Sequence, residues 1–171
     1  MSQSDPEPRV PPADARPDQD DVAGMVREFR KALEMNPEDA AVHCQLGMTH
    51  ARAGQLVEAI AAFRGALGLR SDYPEARFNL AGALALTGDV DAAIEEFREV
   101  VRLTPNDYAA RTALGLLLRT TGNIDAAIAE LEEAVRLKPD APDAQARLLE
   151  AVQQKEVASK RVDAGGPGLA T

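Results

Sequence analysis

His43, Cys44 and His50 are the first residues along this chain whose types could do chemistry. Two imidazoles seven residues apart fall on one face of a helix, which is the beginning of a zinc site. Tetrahedral coordination needs four ligands, however, and Cys44 is turned about 100° away from His43 on such a helix. No carboxylate cluster stands near to complete the set, and both histidines fall at packing positions, so they read as packed residues. Cys44 is no better placed as a nucleophile, because the same spacing supplies neither a base nor a group to orient one. Glu95 and Glu96, with Glu130, Glu132 and Glu133, are candidates for acid–base pairs, but hydrolysis by two carboxylates requires a cleft between them. They are expected to form a solvated outer face. The glycines near the C-terminus, Gly165, Gly166 and Gly168, lack the Gly-Lys-Ser/Thr of a phosphate loop. No set of nucleophile, base and stabilising donor can be assembled, so the expectation is a protein without enzymatic activity, metal or cofactor.

A repeat positions these residues. Gly54, Gly88 and Gly122 recur every 34 residues, as do Ala59, Ala93 and Ala127, then Leu46, Leu80 and Leu114, then Leu69, Leu103 and Leu137. An unbroken period of that length marks a solenoid of paired helices, in which each unit buries its apolar face only against its neighbours. In each unit the first helix carries the Leu46, Leu80 or Leu114 position and turns at the glycine. The second begins behind a polar residue such as Asp89 or Asn123, whose side chain is expected to accept from the first-turn amides. Pro105 and Pro139 close the second and third units, and Pro74 supplies the stop after the first.

The spacing predicts a domain over 19–162. It consists of a half repeat at 19–39, full repeats at 40–73, 74–107 and 108–141, and a capping helix at 142–162 with a polar outer face. Residues 1–18 hold Pro6, Pro8, Pro11, Pro12 and Pro17 among acidic and small residues, and read as a disordered acidic tail. Residues 163–171 read as a flexible tail. The helix at about 20–36 corresponds to the second helix of a unit whose first helix is missing. Its Val22, Met25 and Phe29 are therefore expected to be half covered and to offer a self-association surface, which would make a homo-oligomer.

A net charge of -9 excludes a nucleic-acid groove, since phosphate binding needs clustered Lys and Arg. One cysteine excludes an internal disulfide and suits a reducing compartment. No apolar stretch approaches the roughly 20 residues of a membrane span, so no membrane insertion is expected and the cytoplasm is the expected location. Alanine and leucine dominate while tryptophan is absent, a composition of small-residue helix packing and an all-α fold.

The repeats resemble the tetratricopeptide repeat. Its first-helix pattern of Leu-Gly followed by a Tyr-like position appears as Leu46-Gly47 with His50, Leu80-Ala81 with Leu84, and Leu114-Gly115 with Leu118. Its second-helix Ala and Phe appear as Ala59 and Phe63, Ala93 and Phe97, and Ala127 and Leu131. The large aromatic expected early in each unit is replaced by His43, Arg77, Arg111 and Gln145, so packing there should be looser. The resemblance implies a right-handed α-solenoid of antiparallel helix pairs, acting as an adaptor or scaffold that binds a peptide segment of a protein partner on its concave face. Carried over position by position, that face holds Gln45, Met48 and Arg52, then Phe78, Asn79 and Leu86, then Thr112, Leu116 and Arg119, and Arg147 in the cap; Cys44 falls among them. Some tetratricopeptide domains grip acidic chaperone tails with a basic and asparagine clamp. Of that clamp only Asn79 falls in place here, with Cys44, Met48, Ala109 and Ala113 at the other positions, which argues against that partner class.

Overall fold

A computed structural model describes residues 19–164 of the chain. Among these residues every regular element is an α-helix: α1 (Gln19–Met35), α2 (Ala40–Arg52), α3 (Leu56–Leu69), α4 (Pro74–Thr87), α5 (Val90–Leu103), α6 (Tyr108–Thr120), α7 (Ile124–Leu137) and α8 (Pro142–Ala164). The acidic N-terminal tail and residues 165–171 lie outside the described part. Residues 163 and 164, expected to begin a flexible tail, instead extend α8.

The periodic glycines set the turns inside the pairs. Gly54, Gly88 and Gly122 have φ of 77°, 89° and 85°, the left-handed region where a side chain would be strained. In each turn the amide after the glycine reaches back to the first helix: Gln55 to the His50 carbonyl, Asp89 to Leu84, and Asn123 to Leu118, all at 2.8–2.9 Å. Helix starts are less uniform. Asp39 and Asp107 cap α2 and α6 by accepting from two amides each, and Asp89 accepts from Ala92 N at 3.4 Å. Asn123 departs from its expected role: its Nδ2 donates to Thr121 Oγ1 and its side chain caps nothing.

Within a pair the helices approach through small residues. A Cβ added at Gly47 would stand 2.6 Å from the Phe63 ring, and one added at Gly115 would stand 2.6 Å from Leu131. Glycine therefore lets the larger partner seat fully, and Phe63, Leu131, Ala59, Ala93 and Ala127 are all 0 % exposed. Burying a side chain the size of Phe63 or Leu131 stabilises by about 1.5–3 kcal/mol. The pairs then stack, α3 on α4, α5 on α6 and α7 on α8, while α1 packs on α2 through Val22, Val26, Phe29 and Leu33. The stack is a right-handed solenoid: three helix pairs with a single helix at each end.

Candidate interaction groove

First helices α2, α4, α6 and α8 lie side by side along the inner face. Here α2 packs on α4 and α6 packs on α8, whereas α4 and α6 meet less extensively and leave a cleft. Pro74, Glu75, Phe78 and Asn79 line it from α4, Asp107 and Ala109 from the start of α6, and its volume is about 330 Å³. Phe78 holds the position that Cys44 and Thr112 occupy in the neighbouring units. Those smaller side chains are buried; the ring of Phe78 stays half-buried, edge-on to Phe97 at 5.3 Å between centroids. Asn79 Nδ2 donates to the Glu75 carbonyl at 2.8 Å, which leaves its own oxygen free to accept.

Of the residues expected to line the groove, the cleft therefore brings Phe78 and Asn79 together. Gln45, Arg52 and Leu86 are exposed, while Met48, Leu116 and Arg147 are half-buried. Thr112 requires a correction: it is 9 % exposed, and its hydroxyl donates to the Tyr108 carbonyl at 2.7 Å, so it faces its own helix and not a ligand. Cys44 is likewise fully buried, and burial first, then the charge of Glu75, pushes its thiol above the usual range. Arg119 is not free. Its guanidinium meets Glu150 at 3.1 Å and Gln154 at 3.3 Å, tying α6 to α8, and its Nε is buried without a partner. Arg147 approaches the same Glu150 at 3.2 Å.

Sequence reasoning missed a repeated side-chain device at the loops between units. His43, Arg77, Arg111 and Gln145, where an aromatic was expected, each bond the carbonyl six residues earlier: Pro37, Ser71, Pro105 and Pro139. Arg77 and Arg111 also pair with Glu96 and Glu130 at 2.6 Å, which corrects the expectation that these two glutamates are merely solvated. The loop between units is thus pinned by polar bonds and not packed loosely. A repeated Arg with Glu 19 residues later was the available signal. Glu95 and Glu132 are exposed and Glu133 is half-buried; hydrogen bonds from Arg136 hold the Glu133 carboxyl below the usual range, as those from Arg102 do for Glu99.

The histidines are occupied too, His43 by the Pro37 carbonyl and His50 by Gln55 at 2.6 Å. At the N-terminal end, Val22 is 6 % exposed, which corrects the expectation that it is half covered; Met25 is 41 % exposed and Phe29 half-buried. No helix among the described residues is long and apolar enough to cross a membrane.

Tetratricopeptide-repeat family models match residues 50–117 in one case and residues 18–74, 98–142 and 112–159 in another. The chain belongs to the tetratricopeptide-repeat family. That membership makes it a protein-interaction module in the general sense. A crystal structure of MamA is similar at 23% identity, covering 83% of this chain and 93% of that one with a TM-score of 0.69. A MamA double mutant is similar at 21% identity over 79% and 76% of the two chains, with a TM-score of 0.76. The first tetratricopeptide domain of Spaghetti (RPAP3), bound to the HSP90 peptide SRMEEVD, is similar at 20% identity over 68% of this chain and 93% of that one, with a TM-score of 0.66. These likenesses are of fold. No curated protein sequence matches the chain.

Proposed function

We propose that the protein is a non-catalytic adaptor whose concave face holds a peptide segment of another protein. The observation that carries this reading is the cleft between the starts of α4 and α6, where the half-buried ring of Phe78 and the acceptor oxygen of Asn79 lie open. The Asn79 oxygen is left unbonded and part of the Phe78 ring stays exposed beside its contact with Phe97, and an apolar surface with a few convergent polar groups is the usual form of a binding site. The peptide held by the RPAP3 domain gives the same general mode on a similar fold. Self-association through α1 is the weaker reading, because Val22 is already covered and only Met25 and part of Phe29 remain.

A pull-down from the native organism tests the adaptor, with the wild type beside Asn79→Ala/Arg52→Glu and both shown equally helical by circular dichroism. A protein retained by the wild type and lost by the variant supports it. Identical retained proteins would move binding off this face.

A further inference from the structure

Resting on the groove reading above, we propose that the bound segment is extended and carries two charges, a basic side chain into the cleft and an acidic group to Arg147. The cleft has an apolar floor of Phe78, Pro74 and Ala109, and Glu75 and Asp107 at its edges; no Lys, Arg or His lines it. Asp107 commits Oδ1 to the amides of Ala109 and Ala110, leaving its second oxygen, and Glu75 makes no ion pair among the described residues. With the Asn79 oxygen, the walls offer mainly acceptors, the second Nδ2 hydrogen of Asn79 being the one side-chain donor left over. A lysine or arginine matches that set, since its stem covers apolar surface while its head donates, and a guanidinium or ammonium over Phe78 gains a cation–π contact.

The other end of the inner face has the opposite sign. Glu150 serves two guanidinium groups, Arg119 at 3.1 Å and Arg147 at 3.2 Å, so that cluster holds one positive charge in excess. Arg119 is held against Glu150 and Gln154 with its Nε buried, so the guanidinium within reach of a ligand is that of Arg147, whose side chain is 42 % exposed. A second carboxylate on Arg147 offsets that charge, because a guanidinium takes carboxylates in paired hydrogen bonds and Arg147 gives only Nη1 to Glu150. Asp107 stands at the start of α6 and Arg119 near its end, twelve residues apart. That is about 18 Å at the helical rise, which an extended strand spans in about five or six residues. Between them lie Ala113 and half-buried Leu116, so the middle of the segment is apolar. A wholly acidic tail would meet Glu75 and Asp107 and be repelled.

A phage-displayed library of random dodecapeptides, selected on the full chain, reads this directly. The expected peptides carry Lys or Arg five or six positions from Asp or Glu with apolar residues between. Replacing the basic residue by norleucine should weaken binding by about fivefold, as fluorescence anisotropy would measure. Glu75→Lys, at an exposed position, should lose that preference while remaining helical. Peptides that bind the wild type and are lost with Leu116→Glu, yet show no basic preference or an acidic one at the cleft, would overturn the charge assignment and leave the groove standing. Peptides unaffected by Leu116→Glu, or no enriched peptide at all, would overturn the groove reading with it.

Discussion

Between α2 and α3, Gly47 lies against the ring of Phe63, and between α6 and α7, Gly115 lies against Leu131; 34 residues beyond Gly115 the outer face of α8 presents Leu149, 58 % exposed. The N-terminal end departs in the same way. Ala59, Ala93 and Ala127 are wholly buried inside the stack, and the corresponding position of α1 is Met25. Interior positions are thus small because another helix must come within van der Waals distance there, while at both ends the same positions are large. An added helix in the register of the interior pairs would strike Leu149 or Met25, and overpacking at a close approach is destabilising. The array is extended by small residues and ended by large ones.

This contrast orders the expected mutational effects. Leu80→Ala, at a site 2 % exposed in the middle of the stack, should cost about 2–5 kcal/mol by opening a cavity. Urea unfolding followed by circular dichroism measures it. Gly115→Leu puts a side chain where even a Cβ would stand 2.6 Å from Leu131, and should cost about 1–3 kcal/mol in the same assay. The polar staples come next. A double-mutant cycle on Arg111→Met and Glu130→Gln, whose side chains are 15 % and 27 % exposed, should return a coupling of about 0.5–1 kcal/mol that shrinks in high salt. Leu149→Ala, identical in chemistry to the first change but at the open end, should move stability by less than about 0.5 kcal/mol. A large loss there would mean that the end of α8 is packed against something and the contrast is wrong.

Cys44 gives an independent probe of the interior. It is fully buried and its thiol is held above the usual range by burial and by Glu75. Iodoacetamide should therefore modify it at neutral pH only as the chain opens, with a rate that rises in Leu80→Ala in proportion to the loss of stability. Modification as fast as a free thiol would contradict the packing of α2 on α4.

Much of this was legible in the chain because period 34 is a direct consequence of packing. The glycines that need positive φ, the alanines that need no volume and the leucines that fill the interface each repeat for a physical reason, and the helix pairs followed from them. What the period could not distinguish was which way a side chain turns once two neighbours compete for it. Thr112 sits in register with Phe78, yet a short hydroxyl finds the Tyr108 carbonyl of its own helix, whereas a ring is too large to withdraw. Arg119 was expected to face a ligand, but the long α8 supplies Glu150 and Gln154 as nearer partners. The stapling of the loops by His43, Arg77, Arg111 and Gln145 was missed because three different side-chain types do the same job at the four positions, so composition concealed the repetition.

Sedimentation equilibrium tests the size rule most directly, over a wide concentration range, with the wild type beside Met25→Ala/Leu149→Gly. A single species at the chain mass of 18.2 kDa is expected for the wild type, and concentration-dependent growth once both ends are made small. Wild-type assembly that Phe29→Glu abolishes would contradict the rule, and would return the N-terminal helix as an interface.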